Sequence, residues 1–178
     1  HHGSDDETAV ILFTSGSEKE PKAVQLTHKN IEHNLVGIPK IMSLGSDDVF
    51  IANLPLFHVF GITANYWLPI TLGCSIVAYP NPLDYKIVCG LVKQYKVTLM
   101  AGTPSFYYGY LKKSAKGDFD SMRIAISGAD TLTNQIFDGF LKKHDLTILN
   151  AYGTTETSPA ISINTPTENR VGSVGKPI

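Results

Sequence analysis

The chain has 178 residues, of which 43% are hydrophobic and 17% are charged, and its formal net charge is −1. This composition excludes a disordered chain, and the charge gives no electrostatic basis for binding nucleic acid or an anionic membrane surface. Cys74 and Cys89 are too few for a disulfide framework or a metal site, and their apolar surroundings predict buried free thiols in a reducing compartment. Residues 1–4 resemble a purification-tag remnant, which leaves residues 5–178 for one domain.

Short apolar runs alternate with helical patterns along the chain. The candidate strands are Ala9–Thr14, Val49–Leu54, Cys74–Tyr79, Val97–Ala101, Arg123–Ser127, Leu146–Asn150 and Ala160–Ile163. Several are continuously apolar, which is typical of parallel strands covered on both faces. The order predicts an α/β fold with a mainly parallel sheet flanked by helices.

The helices between these strands have recognisable starts. Thr27 is a candidate N-cap for a helix that runs to about Leu44, and Pro39 is expected to bend it. Thr103 and Pro104 have the form of an N-cap and a first helical residue. Two further helices should start at Asp84 and Thr133, with buried stripes of Ile87, Val88, Leu91, Val92 and Tyr95, and of Ile136, Phe137, Phe140 and Leu141.

The stretch from Val49 to Leu83 has no Asp, Glu, Lys or Arg, which superficially suggests a membrane span. Its prolines and other helix breakers leave no uninterrupted helix of the roughly 20 apolar residues that a bilayer requires. The sequence therefore predicts a buried strand, a buried helix and a second buried strand here. The expected location is the cytoplasm, with membrane association of a longer parent protein left open.

Three motifs carry chemistry. Thr14–Val24 is a turn rich in Thr, Ser and Gly with a lysine beyond it, and it follows an apolar strand, an arrangement that offers hydroxyls and backbone N–H groups to a phosphate chain. Ala151–Glu156 follows another predicted strand, where ligands of α/β sheets bind. Gly172–Pro177 is the third. Taken singly, the first motif is equally explained as a surface turn, and the third could simply be a loop. The strand before the second motif favours a ligand site there over a turn.

In this order the three motifs resemble those of the adenylate-forming acyl ligases, the AMP-binding enzymes that include acyl-CoA synthetases, luciferases and peptide-synthetase adenylation domains. A closer likeness is to the synthetase half of the bacterial bifunctional 2-acylglycerophosphoethanolamine acyltransferase/acyl-carrier-protein synthetases. The segments that carry it are Ser15–Glu18, Leu54–Gly61, Tyr79–Val88 and Pro159–Asn164.

The resemblance implies a site for ATP and Mg²⁺. Hydroxyls and backbone of the first motif would wrap the β- and γ-phosphates, with Lys22 adding positive charge. Tyr152 would stack on adenine, Thr155 would hydrogen-bond the α-phosphate, and Glu156 would hold Mg²⁺. The other implied nucleotide-binding residues are Thr14, Ser15, Gly16, Ser17, Gly128, Ala129, Gly153 and Thr154.

The resemblance also implies a pocket for a fatty acid. His58 is expected to gate or orient the carboxylate without transferring a proton, although a lone histidine among apolar residues is more often a core residue. The other candidates for an apolar channel are Phe57, Phe60, Gly61, Trp67, Gly102 and Thr103, which would serve equally well in a core.

The phosphate turn departs from the family pattern. Lys19 and Ala23 replace the usual glycines, and Glu18 and Glu20 place acid beside the phosphate site. These departures suggest the hypothesis that ATP is bound or turned over less well. The resemblance further implies that the segment before the phosphate turn and the small C-terminal domain, with its catalytic lysine, lie outside these 178 residues. Little or no ligase activity is therefore expected of this piece alone.

The sequence thus predicts part of an ATP-dependent long-chain fatty acid ligase, which forms acyl-AMP and then a thioester on acyl carrier protein. CoA is the alternative acceptor. The same residues are also compatible with a catalytically inactive nucleotide-binding module or with a lipid-docking module. A serine hydrolase is disfavoured because no Gly-x-Ser-x-Gly motif is present.

Overall fold

The computed structural model describes residues 4–14 and 21–178. The strands are β1 (Thr8–Thr14), β2 (Lys22–Thr27), β3 (Val49–Ala52), β4 (Ser75–Ala78), β5 (Leu99–Gly102), β6 (Ile124–Ser127), β7 (Ile148–Gly153), β8 (Ala160–Ile163) and β9 (Lys176–Pro177). The helices are α1 (His28–Met42), α2 (Val59–Ile62), α3 (Leu68–Leu72), α4 (Tyr85–Gln94), α5 (Pro104–Lys113) and α6 (Asn134–His144). A π-helix (Thr63–Trp67) joins α2 to α3, and a 3₁₀ turn (Thr155–Thr157) follows β7.

Seven strands form the main sheet, in the order β4-β3-β5-β6-β7-β8-β9. The strands from β4 to β7 are parallel, whereas β8 and β9 are antiparallel to their neighbours. β5 and β6 are buried along their whole length. The predicted α/β fold with a mainly parallel sheet is confirmed.

Helices cover both faces of this sheet. Helices α4, α5 and α6 pack on one face, in a core that includes Val92, Tyr107 and Phe140. Helices α1 and α3 pack on the other face, where Ile38 and Leu68 meet strand residues. Residues that are neighbours in a strand therefore belong to different cores, because successive side chains of a strand point to opposite faces.

β1 and β2 form a separate antiparallel hairpin. The sequence analysis did not predict β2, and it did not predict that β1 lies outside the main sheet. In β2, Val24 and Leu26 turn toward a small core with Leu12, while Gln25 is exposed. This alternation with period two was the signal for the missed strand.

Helix α1 starts as predicted. The Thr27 hydroxyl accepts a hydrogen bond from the Asn30 N–H at 3.2 Å, and the Asn30 side chain accepts one from the Thr27 N–H at 3.0 Å. This capping box satisfies two N–H groups that a helix start would otherwise leave free. The helix ends at Met42, because Ser43 takes a left-handed conformation with φ 51°. Pro39 lies inside the helix.

Several residues that were predicted to be buried are exposed. Ile87 and Tyr95 of the α4 segment are about half exposed, at 49% and 51%, and Leu141 of α6 is 42% exposed. Cys89 and His144 take buried positions instead, while Cys74 is only partly buried. Strand β4 was also expected to be buried, but it is the edge strand of the sheet and is mostly exposed.

The uncharged stretch folds into β3, α2, the π-helix, α3 and β4. In residues 4–14 and 21–178, no helix is both long enough and apolar enough to cross a bilayer. The strand, helix and strand predicted from this stretch are therefore confirmed in kind, with the helical part divided into three segments.

An ion pair joins the amino ends of three neighbouring strands. Asp48, just before β3, accepts hydrogen bonds from the Arg123 guanidinium, from the Thr98 hydroxyl at 2.7 Å and from the Gly45 N–H at 3.1 Å. Burial alone would raise the pKa of Asp48, but the hydrogen bonds from Arg123, Thr98 and Gly45 outweigh it and hold the pKa below its usual value.

We expect Asp48→Asn to lower the free energy of unfolding at neutral pH by about 1.5–3 kcal/mol, because hydrogen bonds to a charged group are lost. Since the folded-state pKa lies below the unfolded value, the stabilisation is present above the unfolded pKa and is lost as pH falls through the folded one. Denaturant unfolding of both proteins at several pH values should show the difference shrinking in acid. Asp47→Asn, at the exposed neighbouring position, is the control, and an equal effect there would contradict the assignment.

Candidate active site

A cavity of about 250 Å³ lies at the carboxyl ends of the parallel strands, between the sheet and the helices around the π-helix. Its walls come from the ends of β5, β6 and β7 and from α1, α2, α3 and the π-helix. The lining residues are Ile38, His58, Val59, Phe60, Thr63, Ala64, Leu68, Leu99, Ala101, Ile126, Gly128, Ala129, Ala151, Tyr152, Gly153, Thr154, Thr155, Pro159, Ala160 and Ile163.

Seven residues that the sequence predicted for the site meet at this cavity. They come from three separate parts of the chain: His58, Gly128, Ala129, Tyr152, Gly153, Thr154 and Thr155. Thr14, Lys22 and Glu156 do not line the cavity. Ser15, Gly16 and Ser17 lie outside the described residues.

The turn after β6 presents backbone to the cavity. Gly128 donates its N–H to the Gly102 carbonyl at 3.1 Å, which continues the pairing of β6 with β5. A Cβ at Gly128 would lie 3.4 Å from the Phe60 ring, so the backbone already approaches that ring closely. Ala129 has φ +70°, a left-handed conformation that is uncommon for a residue with a Cβ and often marks a functional turn.

The end of β7 brings a tyrosine and two threonines to the rim. Tyr152 is 51% exposed, so about half of its surface is accessible to a ligand. At Gly153 a Cβ would lie 1.9 Å from the Pro159 carbonyl oxygen, and only glycine permits this approach. The Thr154 N–H donates to the same oxygen at 3.0 Å.

The 3₁₀ turn sets the directions of Thr155 and Glu156, its first two residues. The Thr154 N–H donates to the Thr157 hydroxyl at 2.9 Å, and that hydroxyl donates back to the Thr154 carbonyl at 3.0 Å. This closed turn places Thr155 against the cavity and leaves Glu156 exposed. The carboxylate is thus available beside the cavity rather than inside it.

Thr14 and Lys22 lie opposite each other in the register of the β1–β2 hairpin. The described part of the phosphate motif therefore consists of the two strand ends that flank residues 15–20. Strand β2 also runs beside the turn Thr155–Thr157, with Cα atoms within 8 Å. Strand β2 and the turn are consequently neighbours in the fold, although more than 120 residues separate them in the chain.

His58 is exposed and directly precedes α2, where it lines the cavity. Its N–H donates to the Pro55 carbonyl at 3.2 Å, and its carbonyl accepts from the Ile62 N–H at 2.9 Å. The interpretation of His58 as a core histidine is therefore wrong. Position and exposure leave the imidazole free to act on a ligand at the rim.

Of the other channel candidates, only Phe60 lines the cavity. Phe57 is 80% exposed, and Trp67 packs beside the β1–β2 hairpin. Gly61 lies against the Pro55 backbone, where a Cβ would come within 2.0 Å of the carbonyl oxygen. Gly102 packs on the Tyr107 ring, and Thr103 is the N-cap of α5.

The sequence analysis missed most of the apolar lining. Ala101 and Ala151 occupy the ends of β5 and β7, and Leu68 and Ile38 reach the cavity from the helices. The strand ends could have been inferred from the parallel order of the sheet. Leu68 and Ile38 could not have been inferred as lining residues, because the apolar periodicity of their helices is that of any helix packed on a core.

The cavity has an apolar body and a polar rim. Among the described residues that line it, in ranges 4–14 and 21–178, none is Asp, Glu, Lys or Arg. The polar side chains are His58, Thr63 and those at the strand ends, and the rest of the described wall is aliphatic, aromatic or backbone. Such a site suits a ligand with an apolar body and one polar end.

Comparison with known proteins agrees with this geometry. The family model described as AMP-binding enzyme matches residues 1–178, the whole chain. The chain belongs to the AMP-binding enzyme family. The resemblance predicted from the three motifs is thereby confirmed at the level of the family.

Relatives of this AMP-binding enzyme are named as acid–CoA ligases. It is 30% identical to the long-chain-fatty-acid–CoA ligase of Salmonella typhimurium, over 97% of this chain and 32% of that protein. It is 28% identical to the feruloyl-CoA synthase of an Amycolatopsis species, over 97% of this chain and 35% of that protein. The chain therefore spans about a third of the length of these relatives, and their names support a ligase.

Solved structures give the same fold. Apo MatB from Rhodopseudomonas palustris superimposes with a TM-score of 0.89 at 29% identity, covering 99% of this chain and 35% of that one. The ATP-bound form of MatB from the same organism gives 0.85 at 27% identity, again covering 99% and 35%. This AMP-binding enzyme therefore has the fold of about a third of MatB, a protein whose structure is also known with ATP bound.

Proposed function

We propose that this chain forms the nucleotide- and acyl-binding part of an ATP-dependent fatty acid ligase, the central part of a longer AMP-binding enzyme. The observation that carries the proposal is the cavity itself, whose apolar body opens at a rim where Tyr152, Thr155 and the turn Gly128–Ala129 converge. A fatty acid has this form, with a long apolar chain and one carboxylate. The fatty acid ligase name of a 30% identical relative also supports it.

The reaction activates the carboxylate. One carboxylate oxygen bonds to the α-phosphorus of ATP, the bond from that phosphorus to the bridging oxygen breaks, and pyrophosphate leaves with the electron pair. Charge develops on the phosphoryl oxygens, so positioning and hydrogen bonding account for most of the catalysis. Thr155 would donate its hydroxyl to an α-phosphate oxygen, and His58 would orient the carboxylate at the rim.

The nucleotide would lie across the carboxyl ends of β6 and β7. Its adenine would lie between the Gly128–Ala129 backbone and the half-exposed side chain of Tyr152, and Gly153 and Thr154 would continue the wall. The β- and γ-phosphates would extend toward Thr14 and Lys22, whose hairpin lies beside the Thr155–Thr157 turn. The hydroxyls and backbone of residues 15–17 remain a prediction from sequence.

The donor set fits Mg²⁺ rather than a metal held by the protein alone. Among the residues that the structure describes, no group of three His, Cys, Asp or Glu side chains could hold a metal ion. A single exposed carboxylate, Glu156, suits Mg²⁺, which protein sites bind through one or two carboxylates together with substrate phosphates. When bound, Mg²⁺ would neutralise charge on the phosphates. Glu156 would hold it beside the rim.

The second step of the proposed reaction transfers the acyl group to a thiol acceptor. The loop and strand segments that resemble the acyl-carrier-protein synthetases favour a thioester on acyl carrier protein, with the fatty acyl group transferred from AMP to the phosphopantetheine sulfur. CoA is the alternative, and the names of the relatives favour it. Incubating the full-length protein with ATP, labelled palmitate and either acceptor would decide between them.

We expect Glu156→Gln in the full-length protein to lower kcat for palmitate-dependent ATP–pyrophosphate exchange by about 100-fold, because a positioned charge at the transferring phosphate is lost. The variant should also need more Mg²⁺ for half-maximal rate. Glu32→Gln, an exposed glutamate on α1, is the control and should behave as wild type.

Two results would contradict the proposal. Retained binding of ATP together with no palmitate-dependent exchange would favour the catalytically inactive nucleotide-binding module. Binding of the protein to liposomes without ATP, together with no exchange, would favour the lipid-docking module.

A further inference from the structure

One polar side chain lies in the apolar stripe of α1. Asn34 is only 1% exposed, between the buried residues Ile31 and Ile38 of the same helix. Its Nδ2 donates to the Thr157 carbonyl at 3.1 Å, and its Oδ1 accepts from the Ala160 N–H at 2.9 Å. Both ends of the amide are therefore used on the segment that directly follows Glu156.

A second buried group holds the same segment from another side. Thr63 of the π-helix is 1% exposed, and its hydroxyl donates to the Ser158 carbonyl at 3.4 Å. The segment 157–160 is thus fastened to α1 and to the π-helix by side chains. Asn34 makes two hydrogen bonds to this segment, and both are shorter than the one from Thr63.

Helix α1 connects this fastening to the other end of the site. It follows β2 directly, through the Thr27 capping box, and β2 begins at Lys22. Lys22 and the Thr155–Glu156 turn are therefore joined through one strand, two turns of helix and a single amide. Since a helix is stiff over this length, the position of one group constrains the position of the other.

The chemistry of the amide explains why asparagine is needed. A carbonyl and an N–H of the backbone face it, so one side chain must donate and accept at fixed positions. An apolar residue would leave both backbone groups buried and unpaired. Aspartate, when ionised, would accept from the Ala160 N–H but would oppose the Thr157 carbonyl.

We propose that Asn34 is a positioning residue, which sets the Thr155–Glu156 turn relative to the Lys22 end of the β1–β2 hairpin so that both reach one triphosphate. The inference rests on the proposed function, and it assigns to Asn34 no contact with substrate. Its signature is a loss of turnover that exceeds any loss of substrate binding.

The first test is amide hydrogen exchange of the wild-type protein and of Asn34→Ala. We expect the Ala160 N–H to exchange at least about tenfold faster in the variant, because its acceptor is gone, while amides of β5 and β6 keep their protection. Met42→Ala removes buried volume at the other end of α1 and is the control. It should leave the Ala160 N–H protected.

The second test is palmitate-dependent ATP–pyrophosphate exchange in the full-length protein, measured below the unfolding midpoint of every variant. Asn34→Ala should lower kcat by about 10- to 100-fold, with KM for palmitate within about twofold of wild type. The turn is displaced, whereas Leu68 and Ala101, which form the apolar body of the cavity, lie on other elements. Met42→Ala should retain the wild-type kcat. Asn34→Asp should regain activity relative to wild type as pH falls, since a protonated carboxyl both donates and accepts.

Two outcomes overturn the inference. One is a wild-type kcat in Asn34→Ala, and the other is an equal loss in Asn34→Ala and Met42→Ala, which would mean that stability alone is responsible. If the wild-type protein shows no exchange of pyrophosphate, the proposed function fails. In that event, the protection of the Thr155–Thr157 amides from hydrogen exchange on addition of AMP decides. Protection in wild type and in Met42→Ala but not in Asn34→Ala supports the positioning role. Equal protection in all three proteins overturns it.

Discussion

Gly153→Ala is expected to lower kcat for ATP–pyrophosphate exchange in the full-length protein by about 100-fold, the largest loss that we predict for the addition of one methyl group. The added Cβ would lie 1.9 Å from the Pro159 carbonyl oxygen and 2.7 Å from its carbon. Both are backbone atoms, which cannot rotate aside. Either β7 or β8 must therefore move, and Thr154 and Thr155 move with it.

The same substitution at a position with open space provides the control. Gly90 lies in helix α4, and a Cβ there would meet nothing within 4 Å. Gly90→Ala should leave exchange unchanged and should raise the free energy of unfolding by about 0.5–1 kcal/mol, because alanine is the better helix former. A Gly153→Ala enzyme with wild-type kcat would show that the approach of β7 to Pro159 does not position the rim.

Ala101→Leu is expected to change which fatty acids are used. Ala101 is buried at the end of β5 and lines the apolar body of the cavity, in the sheet face that α1 and α3 cover. Leucine adds three carbons there, which would displace about three methylene groups of a long acyl chain. At about 0.8 kcal/mol for each buried methylene, kcat/KM for the long chain should fall by about 50-fold.

Acids shorter by about three carbons should keep most of their wild-type kcat/KM, so the optimum chain length should shift downward. A series of saturated fatty acids in the exchange assay measures this directly. Ala78→Leu makes the same change on the exposed edge strand β4 and should leave the series unchanged. An unaltered chain-length profile in Ala101→Leu would show that the acyl chain does not occupy this cavity.

The two changes separate the two halves of the site. Gly153→Ala should reduce turnover for every acid alike, because it acts at the rim where the carboxylate and the α-phosphate meet. Ala101→Leu should discriminate between acids, because it acts in the body of the cavity. Their different patterns make them a stronger test together than either is alone.

Much of the fold could be predicted because its signals are local. The continuous apolar runs of β5 and β6 identified buried parallel strands, and the Thr27 cap identified the start of α1. The motif residues after β7 were also found in advance, and Tyr152 and Thr155 do line the cavity. The roles given to them remain predictions, since they come from resemblance to the family.

The predictions of side-chain burial were wrong where the exposure of a residue depended on the packing of other helices and strands around it. Ile87 and Tyr95 fit a helical stripe, yet they face solvent because α4 covers the edge of the sheet. Phe57 and Trp67 fit an apolar channel as well as Phe60 does, and only the packing of α2 and the π-helix distinguishes them. Periodicity shows which side of a helix is apolar, but it does not show how much of that side the rest of the protein covers.

By itself the sequence determined most strands of the main sheet, the capped start of α1 and the family, because each depends on residues that are near one another in the chain. The tertiary structure alone decided which apolar residues surround the cavity and which side chain fastens the Thr155–Glu156 turn. Asn34 lies 123 and 126 residues from its two partners. No local pattern records such a contact, because it exists only once the sheet and its covering helices have fixed the distance between them.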